Sequence, residues 1–260
     1  MNLNRTHFVE MDEIAARTWP AESTDALDNW LLRESQGVTK RANSVLAIGE
    51  YPKDPAWPQK AEKYYKERGL PSIFHVSGAS PDGLDKFLAD NGYIADTPCL
   101  FMTANSQEVR EKALQAALLK GPASVDTVWT QQADAAWIEA FLQLEQFPET
   151  RLSFYTGLFE RMPEPKGFVR LLQDGETVAA ATAILEDGWA GFVNVVVSEA
   201  CRGQGLGYSL MHALTAWSLE QGATKQYLQV IADNKPAVNL YEKLGYQALY
   251  GYHYRIKYDL

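Results

Sequence analysis

The sequence predicts an α/β fold with a mixed (α+β) sheet, and three observations lead to this prediction. Strand-like and helix-like runs follow one another in the second half in the order β-α-α-β-β-β-α-β-α-β. The dipeptides Asp174-Gly175 and Asp187-Gly188 mark tight turns between three consecutive strand-like runs. An almost wholly apolar strand then leads through a glycine-rich segment into an amphipathic helix, which is typical of a parallel crossover.

Each element of the second half has its own local signature. Residues 124–130 alternate as a strand does, and 133–146 has helical apolar spacing that ends before Pro148. A second helix is predicted at 150–162. The strand-like runs GFVRLLQ, TVAAATAILE and WAGFVNVVV come next. The remaining predicted elements are a helix at 207–221, a strand at 225–231, a capped helix at 234–244 and a final tyrosine-rich strand.

The first half repeats part of this order, with a helix predicted at 58–68, a strand at 72–77 and a helix at 82–91. A shift of 153 positions superimposes four identical residues without a gap: Glu67, Gly69, Gly92 and Tyr93 on Glu220, Gly222, Gly245 and Tyr246. We therefore predict a diverged duplication. Its domains are 1–121 and 122–260, with a connecting helix at 105–120 and the border at Gly121-Pro122. The alternative is two unrelated α/β halves that share common glycine positions.

Composition and charge exclude several function classes. Of 260 residues, 24 are basic and 33 acidic, and the net charge is −9. This excess argues against binding to nucleic acid or an anionic membrane and suits a cationic small molecule. Two cysteines are too few for a disulfide framework, and four scattered histidines predict no metal site. The N-terminus lacks the apolar core of a signal peptide and no apolar run would span a bilayer, so we expect a cytoplasmic protein.

The most informative segment is 192–208, FVNVVVSEACRGQGLGY. Glycines at 203, 205 and 207 stand where a strand meets a helix, so unpaired amides at the helix start would face a pyrophosphate. The segment does not match the nucleotide-triphosphate loop, because no Lys-Ser or Lys-Thr follows. It does not match the dinucleotide fingerprint either, because Leu210 stands where that pattern has its last glycine. By itself the segment is also compatible with a simple turn.

Two motifs in the second half resemble the GNAT superfamily of acetyl-CoA-dependent N-acyltransferases. The family pattern Arg/Gln-x-x-Gly-x-Gly/Ala is matched by Arg202, Gly205 and Gly207. Its second motif is matched, beginning 32 residues after Arg202, by Asn234, Ala237, Leu240, Tyr241, Gly245 and Tyr246. The resemblance covers about residues 124–260 and implies a tandem GNAT fold, with a catalytic second half and a degenerate first half.

The resemblance also implies roles for individual residues. The backbone of Val195 and Val197 would pair with the pantetheine arm, and the amide of Val195 would polarise the thioester carbonyl. Tyr241 would protonate the departing thiolate. The residues expected to bind acetyl-CoA are Val195, Val197, Arg202, Gly203, Gln204, Gly205, Leu206, Gly207, Tyr208, Asn234 and Tyr241.

Simpler interpretations stand beside several of these roles. Tyr241 would pack on an amphipathic helix, Asn234 would cap that helix, and Asn194 would be a hydrogen-bonded core amide. No general base is assigned, because Glu145, Glu149, Glu186 and Asp187 all suit surface positions. By position, Arg151, Phe154, Tyr155 and Trp189 are candidates for an acceptor pocket, and Cys201 is structural.

The first half is predicted to be a non-catalytic copy that helps to shape acceptor specificity. Residues 48–54, IGEYPKD, replace the glycine loop, and the proline and two acids disfavour a pyrophosphate there. Leu88 aligns with Tyr241, so the acid is missing too. Basic and polar side chains in 30–44, among them Arg33, would reach the acceptor or face solvent.

The predicted function is transfer of an acetyl group from acetyl-CoA to a primary amine of a small molecule or peptide, by direct attack in a ternary complex. The alternatives are a longer acyl-CoA donor and a non-catalytic acetyl-CoA sensor. The protein is expected to be a monomer or homodimer without nucleic-acid or membrane partners.

Overall fold

The computed structural model describes residues 3–119 and 125–258, and within them eight α-helices and eleven strands. The chain divides into two compact units. The first comprises Met1–Leu100, Ile231–Asp233 and Tyr250–Leu260, and the second comprises Phe101–Val230 and Asn234–Leu249. The predicted border at Gly121-Pro122 lies outside the described residues, and a border between two copies of one fold stays a prediction.

The first unit has its own sheet and helices. Its elements are α1 (Leu3–Thr18), β1 (Ser23–Leu27), β2 (Trp30–Glu34), β3 (Val45–Leu46), α2 (Trp57–Lys66), β4 (Ser72–Val76) and α3 (Leu84–Asp90). The chain leaves this unit along β5 (Ile94–Asn105) and returns to it along β11 (Gln247–Lys257). The strands in the first unit follow the order β1-β2-β3-β4-β11. The last strand joins this unit because His253–Lys257 pairs antiparallel with Val76–Ser72, a long-range pairing that local pattern does not reveal.

An aromatic cluster holds α2 against the sheet of the first unit. The rings of Trp30 and Trp57 lie 4.9 Å apart, and those of Trp57 and Phe74 lie 5.8 Å apart, both edge to face. Trp30 and Phe74 are fully buried. These pairs come from a strand, a helix and another strand, so the burial of large apolar rings fixes all three elements together.

A buried carboxylate connects α1 to the strands of the first unit. Asp12 accepts hydrogen bonds from Ser77 at 2.6 Å and Tyr250 at 2.7 Å, and its Oδ2 lies 3.2 Å from the His75 ring. Burial opposes the charge, but the His75 charge and the three hydrogen bonds outweigh it and hold the pKa of Asp12 below its usual value of 3.8. Asp12 therefore stabilises the fold as an anion.

Replacing Asp12 by alanine is expected to lower the free energy of unfolding by about 3 kcal/mol, because buried donors lose their charged acceptor. Since the folded pKa is depressed, this contribution is present above pH 3.8 and is lost as the pH falls through the folded value. Urea unfolding of wild type and Asp12→Ala between pH 7 and pH 3 measures it. Asp90→Ala, which removes an exposed carboxylate paired with Lys86, is the control. Equal losses in both variants, or a difference that does not shrink in acid, would contradict this role.

The second unit contains a mixed sheet, as predicted. Its elements are α4 (Ser106–Leu119), β6 (Asp126–Thr130), α5 (Ala135–Leu144), α6 (Leu152–Arg161), β7 (Lys166–Gln173), β8 (Glu176–Glu186), β9 (Trp189–Val197), α7 (Leu206–Glu220), β10 (Lys225–Ile231) and α8 (Lys235–Lys243). The strand order is β5-β10-β9-β8-β7-β6, with β6 to β9 antiparallel and β9 parallel to β10. The predicted connecting helix is α4, which packs against α7. Ser124, at the start of the first predicted strand, lies outside the described residues.

Polar groups define both ends of the helix pair α5 and α6. The Asp134 side chain accepts a hydrogen bond from the Trp137 amide at 2.7 Å and so caps α5. At the end of α6, the buried Lys166 Nζ donates to the carbonyls of Phe159 and Met162, each at 2.9 Å. A lysine here neutralises the unpaired carbonyls of the last turn. In the part of the chain that the structure describes, no helix is long and apolar enough to cross a membrane.

Candidate active site

A β-bulge interrupts the strand that leads to the glycine loop. The pairing of β8 with β9 runs from Thr182 opposite Val193 to Ala180 opposite Val196. Two residues of β9, Asn194 and Val195, therefore stand opposite a single residue of β8. Asn194 adopts a φ of 57°, in the left-handed region that asparagine tolerates better than most residues. The bulge bends β9 at the position where the sequence analysis placed the reacting carbonyl.

Strands β9 and β10 separate at the same level. Their parallel pairing runs from Trp189 opposite Lys225 to Phe192 opposite Leu228, and no further pair is formed within the described residues. Beyond Phe192, β9 has no strand partner on the β10 side. Such an edge leaves backbone donors and acceptors for an extended ligand, which can add to the sheet as another strand.

The loop after β9 exposes the start of α7. Gly203 and Gly205 have φ values of 79° and 87°, which a residue with a Cβ adopts only at a cost. No side chain caps the helix, and Gly205 occupies its N-cap position. A Cβ on Gly203 would meet no atom within 4 Å, so the space above the loop is open. The amides of the first turn and the helix dipole would favour an anion such as a phosphate group at this position.

The third glycine of the loop serves packing. A Cβ on Gly207 would lie 3.0 Å from Leu240 Cδ2, so its absence lets α7 approach α8 closely. Leu206 is 1% exposed, and its side chain belongs to the core. Among the loop residues, Arg202 and Gln204 are exposed and Tyr208 is half-buried, so their side chains border the open space.

Arg202 also influences a carboxylate on the helix pair. Burial raises the pKa of Glu145, and the positive charge of Arg202 opposes this rise. Glu145 follows the last residue of α5, so the end of α5 faces the glycine loop. Sequence analysis treated Glu145 as a surface acid and missed this coupling, because the two residues are brought together only by tertiary packing.

Tyr241 lies on α8 and is 6% exposed. Burial raises its pKa above the usual value of 10, so the hydroxyl keeps its proton at neutral pH. Its ring contacts that of Tyr246, with centroids 5.7 Å apart. The hydroxyl therefore carries a proton that it could donate, although the raised pKa makes it a weaker acid than a free tyrosine.

Asn234 has a defined structural role. Its side chain accepts a hydrogen bond from the Ala237 amide at 3.3 Å and caps α8, with Pro236 in the first turn. Asn194, inside the bulge, donates from Nδ2 to Thr182 Oγ1 at 3.4 Å. The geometry therefore supports the simpler interpretation of each residue: Asn234 caps a helix, and the Asn194 side chain is hydrogen-bonded within the sheet.

The residues predicted for an acceptor pocket, and the acid Glu186, do not form one cluster in the structure. Phe154 and Tyr155 are 1% and 3% exposed, so both belong to the core. Arg151 stacks on Phe147 at 4.3 Å and fixes the connection between α5 and α6. Glu186 and Trp189 pair at the hairpin end of β8 and β9, five residues before Asn194 and thus about 16 Å away along an extended strand. Within the described residues, no group of three histidine, cysteine or acidic side chains is placed to hold a metal ion.

A bulged and splayed strand that leads into an uncapped helix, with a buried tyrosine on the following helix, defines a GNAT-type N-acetyltransferase. A family model described as probable histone acetyltransferase Rv0428c, C-terminal, matches residues 7–258, and the chain belongs to this family. The match spans both halves of the chain.

Comparisons with individual proteins agree with this assignment. An N-acetyltransferase of Bacillus subtilis named YobR is 38% identical over 248 residues, which is 95% of this chain and 98% of the relative. A GCN5-related N-acetyltransferase from Kribbella flavida has the same fold, with a TM-score of 0.71, 20% identity and coverage of 100% of this chain and 97% of that one. A tandem GNAT protein from the clavulanic acid biosynthesis pathway covers 95% of this chain and 86% of its own, with a TM-score of 0.63 and 16% identity. The predicted GNAT fold is confirmed, and the arrangement as two copies of that fold stays a prediction.

The bulge residue offers a test of the site geometry. Asn194→Val is expected to lower the free energy of unfolding by about 1–2 kcal/mol, because a β-branched residue is strained at a φ of 57°. Asn194→Gly is expected to cost less, since glycine adopts this conformation freely. Urea unfolding of both variants measures the difference. If valine and glycine were equally tolerated, the left-handed conformation would impose no constraint on β9.

Proposed function

We propose that the protein transfers an acetyl group from acetyl-CoA to a primary amine of a small molecule or peptide, by direct attack in a ternary complex. The observation that carries the proposal is the geometry of β9, which is bulged at Asn194, separated from β10 beyond Phe192 and followed by the open glycine loop. This arrangement provides an edge for the pantetheine arm and a cradle for the pyrophosphate on one continuous stretch of chain.

The loop would hold the pyrophosphate mainly through its backbone. The amides at the start of α7 supply the donors, and the open space above Gly203 admits the phosphates. Arg202 would supply a positive charge, and Gln204 and Tyr208 would border the diphosphate with polar groups. Leu206, whose side chain is buried, would contribute only its amide. Asn234 would act indirectly by fixing the start of α8 next to the coenzyme.

The unpaired edge of β9 would position the reacting thioester. The backbone groups of Val195 and Val197 would pair with the pantetheine arm as a neighbouring strand does. The Val195 amide, directed by the bulge, would donate a hydrogen bond to the thioester carbonyl oxygen. That oxygen gains negative charge as the amine attacks, so the hydrogen bond becomes stronger in the transition state.

Tyr241 would complete the reaction by proton transfer. The neutral amine nitrogen forms a bond to the carbonyl carbon, the carbon–sulfur bond breaks, and the sulfur leaves as a thiolate that takes the Tyr241 proton. The proton that the amine nitrogen loses as it becomes an amide goes to solvent, and solvent returns a proton to the Tyr241 oxygen. The amine must arrive neutral or lose its proton to water. Glu186 lies at the hairpin end of β8 and β9, away from the bulge, and is therefore not proposed as the base. No other carboxylate is assigned as the base.

The first half would not bind a second coenzyme. Leu88, which aligns with Tyr241, is fully buried and has no hydroxyl to donate. Residues 48–54 contain a proline and two acids where the second half has its glycine loop. The acceptor would be a small cationic amine, in keeping with the net charge of −9. We further propose that the protein acts in the cytoplasm as a monomer or homodimer, without a metal.

Calorimetric titration of acetyl-CoA into the full chain tests the binding site. We expect one site per chain, loss of binding in Arg202→Glu and retention in Tyr241→Phe. The introduced glutamate would repel the phosphates, whereas the proposed position of Tyr241 is at the thioester. Lys86→Glu, which reverses an exposed charge in the first unit, is the matched control and should bind as wild type. No binding at millimolar acetyl-CoA would refute the proposal, and two sites would refute the assignment of the first half as empty.

Free thiol release from acetyl-CoA in the presence of spermidine or a peptide with a free N-terminus tests the chemistry. Tyr241→Phe is expected to lower kcat by about 100-fold without weakening acetyl-CoA binding, because it removes only the proton donor. Since the pKa of Tyr241 is raised, the wild-type rate should not decline as the pH rises to 10. Binding without thiol release with any amine would indicate a sensor, and faster release from longer acyl-CoA donors would change the donor assignment.

A further inference from the structure

The first unit contains a cleft with a volume of about 450 Å³ on the side of its sheet that faces α1. Its walls are formed mainly by apolar side chains of α1, β2 and β3, among them Ala16, Leu31 and Leu46. This volume lies within the range of about 300–1,000 Å³ that is usual for small-molecule sites. All lining residues belong to the first unit, and none of them is part of the glycine loop or its surroundings.

A buried arginine lies at the base of this cleft. Arg33 is 4% exposed. Its Nε donates to the Ser44 carbonyl at 3.1 Å and its Nη2 donates to Ser44 Oγ at 2.9 Å, which fixes the plane of the guanidinium. Among the described residues, Nη1 makes no hydrogen bond and no carboxylate forms an ion pair with Arg33. Arg33 is one of the residues that line the cleft, so a ligand there would bind the guanidinium through Nη1, the nitrogen that Ser44 does not occupy.

The charge of Arg33 is only partly compensated inside the protein. Asp12 attracts it through space, but the Asp12 oxygens already accept hydrogen bonds from Ser77 and Tyr250 and contact His75. Arginine stays charged at neutral pH even when buried. A buried cation without a contacting anion is unfavourable, and an anion bound in the cleft would relieve that cost.

We propose that this cleft binds a small molecule with one carboxylate and a compact apolar body. The carboxylate accepts hydrogen bonds from Arg33 Nη1, and the apolar body packs against Ala16, Leu31 and Leu46. Glu13 and Arg17 also line the cleft, and both are exposed. Their opposite charges offset each other, so the single charge of Arg33 remains and matches a monoanion better than a phosphate ester. The inference does not depend on the proposed acetyl transfer, because the cleft and the glycine loop belong to different units.

Calorimetric titration of the full chain with hexanoate tests this proposal, with hexylamine and inorganic phosphate as comparison ligands. We expect one hexanoate site per chain and no binding of hexylamine or phosphate. Arg33→Met should weaken hexanoate binding at least tenfold, and Arg33→Lys should weaken it less. Ala16→Phe fills the cleft without changing the Arg33–Ser44 bonds and should weaken binding to a similar extent as Arg33→Met. The urea midpoint of each variant shows whether it is folded.

Two further variants make the result specific. Arg68→Met removes an arginine of the first unit that stacks on Tyr64 outside the cleft, and it should bind hexanoate as wild type does. Arg202→Glu should also bind hexanoate normally, which separates this site from the coenzyme site. The proposal is overturned if wild type binds no hexanoate at about 10 mM, if hexylamine binds as well, or if Arg33→Met and Ala16→Phe leave the affinity unchanged.

Discussion

The geometry of the candidate active site depends on one constraint, the bulge at Asn194 and Val195 in β9. Before the bulge, β9 pairs with β8 and β10 and belongs to the core of the second unit. After it, pairing with β10 has ended and the same strand presents a free edge. A regular strand would satisfy its backbone groups within the sheet, so no ligand could pair with it. The left-handed conformation of Asn194 is supported by a hydrogen bond to the Thr182 hydroxyl. It lets one strand pair within the core at its start and present an edge to a ligand at its end.

Close packing of the following helices supports this arrangement. Gly207 allows α7 to approach Leu240 on α8, and Asn234 fixes the first turn of α8. Tyr241 is buried in consequence, and burial keeps its hydroxyl protonated. The protonated state of Tyr241 at neutral pH therefore follows from its burial and does not require a charged neighbour.

The two halves of the chain use polar burial differently. In the second unit the start of α7, at the glycine loop, has no capping side chain, and we propose that an anionic ligand binds there. In the first unit Asp12 is saturated by three hydrogen-bonding partners, whereas Arg33 has an unused edge that lines a cleft. The first half, which lacks the glycine loop, thus contains a buried and incompletely paired charge, a feature that side-chain composition does not reveal.

The sequence by itself determined the mixed sheet of the second unit, the tight turns and the glycine loop, because period, turn chemistry and helix caps are local properties. The candidate residues Arg202, Gly205, Gly207 and Tyr241 were also found in the sequence, through their resemblance to the motifs of the GNAT family. Only the tertiary structure decided that β11 pairs with β4 and that Phe154 and Tyr155 are core residues. It also decided that Glu145 lies near Arg202 and that Arg33 lines a cleft. These relations join residues far apart in sequence, and they follow from how strands pair and helices pack, which no local pattern encodes.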